Sequence, residues 1–365
     1  MALTRAFKNA VHQERRKTPI VVNGDMNVAQ RTTADVTGLG DGDEGYVNID
    51  RMRHTVTAGA GRYTCKQTND APTDSGFNFC LELDCTTADT SIAADEFMGI
   101  DYRVEGHDVQ HLKWGTSDAE YLTVGFWMKA DAAVAYSVGF INSDNNRHIR
   151  SLFTTSTDWT YHCIPFIGDT NSGPNNDFGE GLRLRFIFHG GSNTTSGTLG
   201  TSWESTTGAN QHVGGGSFFA STDRSIKMTG LQLERGYFTA ETMPEFQFES
   251  FQENLSRCQR YFEKSFDYPS AVPTNSLNGM HWIAVPTAGT GNYHVGFPFK
   301  TEKRTTPTIV SYNNNSQSAK VYKGSGAGAA NVTIDMIGTN GCRIGSNDST
   351  SSAELGFHFT AESEL

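Results

Sequence analysis

Few groups of residues in this chain could do chemistry, and each has a plainer use. Asp41, Asp43 and Glu44 in Asp41-Gly42-Asp43-Glu44-Gly45 bring hard oxygen ligands close together, as calcium requires. An acidic surface turn has the same composition, so Asp41 and Asp43 are weak calcium candidates. His107 and His111, at i and i+4 beside Glu105 and Asp108, could ligate zinc from one helix face, although the adjacent glycine favours a turn. Arg257-Cys258-Gln259-Arg260-Tyr261 sets a thiol among cations, yet a nucleophilic cysteine needs a positioned His base that nothing here specifies. The other reading is a buried hinge, with Arg257 and Arg260 pairing to Glu234 or Glu249 and Tyr261 packed between domains. Cleaving a sugar polymer needs two carboxylates roughly 5 to 10 Å apart, and no cluster of Asp and Glu among aromatics stands out. No catalytic residue and no cofactor is assigned.

Holding a sugar requires flat aromatic faces with polar neighbours on exposed loops. Trp203 lies in the Gly/Ser/Thr-rich stretch Thr201-Ser202-Trp203-Glu204, and His281-Trp282 and Tyr293-His294 flank the tight turn Thr287-Ala288-Gly289-Thr290-Gly291-Asn292. Trp203, His281, Trp282 and Tyr293 are therefore the ligand-binding candidates, with packing between subunits as the competing use. Trp127 and Trp159 lie in strand motifs and are read as core.

The elements that must position these residues are strands. Phe77–Leu83, Leu122–Met128 and Leu182–Phe188 alternate apolar and other residues, the mark of half-buried strands. Turn clusters such as Asn142-Ser143-Asp144-Asn145-Asn146 and Gly214-Gly215-Gly216 separate them. With 38 Gly among 365 residues and only 19% charged residues, the composition suits many short strands better than long helices. The expected fold is all-β: a jelly-roll β-sandwich over 20–244, a connector over 245–264 whose spacing permits a short helix, and a second, smaller β-sandwich over 265–365. Residues 1–19 differ. Leu3, Phe7 and Val11 form one helical stripe among Arg5, Lys8, Arg15, Arg16 and Lys17, and Pro19 ends the pattern. So short a helix cannot bury its stripe alone and is read as an attachment or trimerisation arm. The connector's Phe246, Phe248, Phe251 and Leu255 also fit a homotrimer.

The net charge of −11 argues against a nucleic-acid partner, which requires a basic face. No apolar run reaches the roughly 20 residues of a membrane helix, so membrane insertion is not expected. The opening residues lack a secretion signal, which implies synthesis and assembly in a cytoplasm. Cys65, Cys80, Cys85, Cys163, Cys258 and Cys342 contain no CxxC pair and are read as free thiols used as small hydrophobes.

Val22–Arg31, Tyr46–Met52, Val124–Ala130, Thr229–Gly236 and Arg257–Lys264 resemble segments of a group of tailed-bacteriophage tail fibre and receptor-binding proteins. Val22-Asn23-Gly24-Asp25-Met26-Asn27-Val28-Ala29-Gln30-Arg31 is similar to their "NG-hydrophobic-WQRG" opening, and Tyr46–Met52 to their "Y-x-x-DRW" element. Val124–Ala130 is similar to their "SFWVKA" strand. The most specific pairing is Thr229-Gly230-Leu231-Gln232-Leu233-Glu234-Arg235-Gly236 with Arg257-Cys258-Gln259-Arg260-Tyr261-Phe262-Glu263-Lys264, which resembles "TGVQLE…CQRYY-x-K". Phe297-Pro298-Phe299, Arg304–Thr308 and the ending Ala361-Glu362-Ser363-Glu364-Leu365 resemble later segments. Met26 and Ala29 replace aromatic positions, and Met52 stands where Trp is usual. The resemblance implies a carbohydrate-binding-module-like jelly roll followed by a compact β domain, in a non-enzymatic and usually trimeric virion protein. Its arm would join a phage tail or capsid protein, and its second domain would meet host surface polysaccharide. A capsid decoration or head-fibre protein and a polysaccharide-degrading tailspike are the other classes left open.

Overall fold

The computed structural model describes residues 18–57, 59–284, 293–323, 328–346 and 354–365. Leu3, Phe7 and Val11 of the expected arm lie outside them, as does the turn at 287–292. The described residues form an all-β structure of two modules.

The first module is a jelly-roll sandwich of strands β1 (Val36–Leu39), β2 (Gly45–Tyr46), β3 (Arg53–Thr57), β4 (Arg62–Thr68), β5 (Cys80–Thr87), β6 (Phe97–Glu105), β7 (Leu122–Ala130), β8 (Ala135–Asn142), β9 (Arg147–Thr154), β10 (Thr160–Phe166), β11 (Glu180–Gly190), β12 (Glu204–Ser205) and β13 (Ser225–Arg235). One sheet runs β1-β4-β5-β13-β7-β10 and the other β12-β9-β8-β11-β6-β3-β2. The period-2 pattern explains why they face each other. Leu122, Val124, Phe126 and Met128 of β7 meet Leu182, Leu184, Phe186 and Phe188 of β11 in one buried core. The outer face of the second sheet is closed by its own loop. Gln211 accepts from Arg150 Nη2 at 2.9 Å and His212 Nδ1 meets Ser137 Oγ at 2.9 Å. On the outer face of the first sheet Trp127, Lys129 and Lys227 are only half-buried.

A helix, Phe251–Gln259, links the modules. Its Ser250 and Glu253 form a reciprocal capping box, which satisfies backbone N–H groups that the first turn cannot bond. The second module holds β14 (Phe262–Lys264), β15 (His281–Ala284), β16 (Tyr293–Pro298), β17 (Thr308–Tyr312), β18 (Lys320–Lys323), β19 (Gly328–Asn331), β20 (Thr333–Asp335), β21 (Gly341–Ser346) and β22 (Glu354–Glu362). β22 is its spine, pairing with β14, β15, β17 and β18, while β16, β21 and β20 form the facing sheet. Phe297, Ile344, Leu355, Phe357 and Phe359 fill the core between them. Because Phe262 pairs with Glu362, the second module's sheet begins inside the stretch expected to be connector.

The modules are joined by buried polar contacts rather than by a flexible linker. Arg51, 1% exposed, donates to Glu364 at 2.5 Å and to the Arg103 carbonyl at 2.6 Å, and its guanidinium lies 3.5 Å from the Tyr261 ring centre. Arg31 also reaches Glu364, at 3.3 Å, and stacks on Phe262 at 4.0 Å. Gln30 donates to Asp50 and to the Phe262 carbonyl. Arg260 grips Glu105 through two 2.8 Å bonds, and the Tyr261 hydroxyl donates to the same carboxylate at 2.7 Å. Burial would raise the Glu105 pKa, but these donors outweigh it and hold the carboxyl below its usual range. Arg257 pairs with Glu249 as expected, whereas Arg260 finds Glu105 instead of Glu234 or Glu249. All six cysteines remain free thiols.

Two predictions follow from these contacts. Glu364→Ala strands the buried Arg51 guanidinium, while Arg31 keeps Asp50 and Glu362, so it should cost about 3–5 kcal/mol and split one calorimetric transition into two; an unchanged single transition would refute a welded junction. Burial pushes His212 down to about 4. An unfolded histidine titrates near 6.5, so the unfolded chain binds the extra proton between those values, and stability present above pH 6.5 declines as pH falls towards 4. Denaturant midpoints at pH 7.5 and 4.5 should therefore diverge less for His212→Gln than for the wild type.

Candidate functional site

The open outer face of the first sheet carries an aromatic cleft. Along β7, Leu122, Val124, Phe126 and Met128 point to the core, which leaves Thr123, Gly125, Trp127 and Lys129 on the other face. Register places Tyr161 of β10 opposite Trp127, with ring centres 5.3 Å apart and planes inclined by 48°. Phe77, Phe246 and Phe248 pack as a three-ring wall with centres 4.9–5.0 Å apart. The open cleft has a volume of about 460 Å³, with Asp74, Ser75 and Glu245 also lining it. Phe248 is 50% exposed, and Trp127 and Tyr161 are half-buried.

Its floor depends on two glycines. β13 bulges between Thr229 and Gln232, and Gly230 there has φ of 64°. A Cβ on Gly230 would lie 2.6 Å from Phe77 and 3.0 Å from Trp127; one on Gly125 would lie 2.3 Å from the Tyr161 hydroxyl. Absence of those carbons lets the rings lie against the sheet. Gln232 then fixes the walls, its Nε2 donating to Tyr161 Oη and to the Pro244 carbonyl, both at 3.1 Å. Burial holds the Tyr161 phenol well above its ordinary range, so it stays a neutral hydroxyl.

Beside the cleft the same face carries charge. Lys66, Glu82, Lys227 and Lys129 stand in register across β4, β5, β13 and β7. Asp70 bonds Lys227 at 2.6 Å and Lys129 at 3.2 Å, and Lys227 leads the effects that lower the Asp70 pKa. Aromatic walls with a few oriented polar groups can stack a flat ligand and bond its hydroxyls.

The expected site residues do not assemble into one place. Trp203 is half-buried: it packs edge-on against Trp114 at 5.1 Å, and its Nε1 donates to the Ile167 carbonyl at 2.7 Å. It caps the first core instead of standing free on its loop. His281 stacks on Phe297 and Phe357 in the second module's core, against which half-buried Tyr293 also packs. Trp282 is 44% exposed, lying over Gly356 and edge-on to Tyr322 at 5.8 Å. Asp43 accepts the Gly40 N–H at 3.1 Å and closes its turn, and His107 bonds Asn176 at 2.6 Å. Among the described residues no group of three or more His, Cys, Asp and Glu could hold a metal. The core expectation for Trp127 is corrected, because its phase in β7 is opposite to that of Phe126. That alternation is visible in the sequence and points to the cleft. Trp159 is half-buried outside the core cluster.

No family model matches the chain, and no curated protein matches it. Among solved structures it is similar to the enzymatically active domain of bacteriophage CBA120 tailspike protein 4, at 12% identity and a TM-score of 0.30, over 60% of this chain and 21% of that one. It is also similar to a family 11 carbohydrate-binding module of Clostridium thermocellum, at 12% identity and 0.28, over 57% and 99%. A third is a putative sugar-binding protein from Bacteroides thetaiotaomicron VPI-5482, at 10% and 0.29, over 60% and 100%. The fold assignment rests on the strand pairings described above.

Gly230→Ala tests the floor. The left-handed backbone and the clash with Phe77 together should cost about 2–4 kcal/mol, read as a lower urea midpoint; an unchanged midpoint would mean that the bulge relaxes freely.

Proposed function

We propose that this chain is a structural protein of a tailed-bacteriophage virion, a tail fibre or receptor-binding component that attaches to host surface polysaccharide through the cleft without cleaving it. The observation that carries the reading is spatial. Segments that resemble phage fibre proteins, although scattered through the sequence, touch one another. Gly24 of the opening receives the Leu231 N–H at 2.9 Å beside the bulge. Gly230 and Gln232 build the cleft, while Gln30, Arg31, Asp50, Arg51, Arg260, Tyr261 and Glu364 build the junction. A resemblance produced by chance would have no reason to fall on contacting residues.

Binding rather than hydrolysis is favoured because Asp74 and Glu245, the carboxylates of the cleft, are exposed; a general acid needs an enclosed, apolar setting to stay protonated near neutrality. Host contact is assigned to the first module, in place of the second-module surface expected from sequence. Homotrimer assembly belongs to the same proposal, and exposed Phe251 supports it. The proposal also includes attachment to a tail or capsid protein through the N-terminal arm, residues 1–19.

Purified protein should compete with phage for adsorption to host cells, and Trp127→Ala should weaken competition at least about tenfold, one aromatic contact being worth roughly 1.4 kcal/mol, with little change in melting temperature. Full competition by Trp127→Ala together with loss in Trp282→Ala would move the receptor site to the second module.

A further inference from the structure

We infer that the cleft is selective for a neutral glycan and rejects acidic ones; this rests on the receptor-binding reading above. The charge of its lining decides the matter. Among the described residues that line it, Asp74 and Glu245 are the only ionisable carboxyl groups, and no Lys, Arg or His joins them. The nearest cations on the same face, Lys129 and Lys227, are engaged by Asp70, and Lys66 is held by Asp84 at 3.1 Å. An acidic sugar entering the cleft would meet two carboxylates and no free ammonium or guanidinium group. Recognition of carboxylate or phosphate characteristically recruits Arg or Lys, and the cleft offers neither.

What it offers instead suits an uncharged pyranose chain. Trp127, Tyr161 and Phe77 supply apolar faces across β10, β7 and β13, a width of about 10 Å from two strand spacings. That is the length of a di- or trisaccharide. Asp74 and Glu245 line the same cleft, and a carboxylate accepting from a neutral hydroxyl makes a strong, charge-assisted bond. The same groups repel a uronic acid or a phosphorylated sugar, most strongly at low salt.

The test uses the full chain and surface polysaccharide from host cells, separated by anion exchange into a neutral flow-through and an acidic retained fraction. Binding is read by affinity electrophoresis and by quenching of tryptophan emission. The neutral fraction should bind and the acidic fraction should bind at least about tenfold more weakly at low salt. Asp74→Asn combined with Glu245→Gln should narrow that difference by raising affinity for the acidic fraction. Binding confined to the acidic fraction would overturn the neutral-glycan inference and leave the receptor reading intact. Binding to neither fraction, with Trp127→Ala still behaving as wild type on whole cells, would overturn the cleft as a glycan site altogether. A concentration-dependent mass that Phe248→Ser returns to monomer, with no glycan binding, would make the cleft an interface between copies of the chain and overturn the inference as well.

Discussion

A guanidinium group taken out of water must find its counter-charge and its hydrogen-bond acceptors within the protein, and Arg51 is such a group. Leaving it unpaired would cost several kcal/mol. Its needs draw together residues more than 300 positions apart: Glu364 supplies the charge, the Arg103 carbonyl an acceptor, and Tyr261 a ring face. Arg31 shares Glu364 and rests on Phe262, so two cations and one carboxylate hold parts of both modules in one arrangement. Burial pushes Asp50 up to about 6, against the pull of Arg31 and the Gln30 bonds. This cost is tolerated because the same carboxylate orients Gln30 towards the second module.

The cleft is connected to that junction by backbone, not by side chains alone. Gly24 lies so close to β13 that a Cβ there would sit 2.1 Å from the Leu231 carbonyl oxygen. That contact clasps the bulge, and the bulge resets the strand's phase. Ile226 and Met228 face the core before it, and Leu231 and Leu233 face the core after it. Were β13 to pair regularly across Gly230, with no bulge to absorb the extra residue, the leucines would turn outward and Gln232 inward. Thus the glycine that opens the cleft also keeps the core continuous. The stretch after Gln232 crosses the cleft as its Phe246–Phe248 wall and then enters the connector helix.

Local pattern reveals period and phase, and that is why the strands were legible. Alternation in Leu122–Met128 and Leu182–Phe188 marks the strands, and the Ser250 and Glu253 spacing fits the helix that follows. Exposure of a single side chain is different, since it depends on what a distant loop brings against it. Trp203 looks free in a run of small polar residues, but Trp114 and the Ile167 carbonyl reach it from elsewhere in the chain. Trp127 shows the reverse: its strand motif suggested core, yet its phase assigned it to the outer face. The partner of Arg260 was equally hidden, because Glu105 is 155 positions away and no nearby spacing announces it.

Different physical demands therefore act on the two parts of the molecule. At the junction Arg51, Arg31 and Arg260 pair with the buried carboxylates Glu364, Asp50 and Glu105, so replacing one member leaves a buried charge with fewer partners. At the cleft rim, Asp74, Glu245 and Phe248 stand in solvent, where a substitution alters what can bind without leaving a buried group unsatisfied. Rim residues can therefore change while the welded frame beneath keeps the same shape.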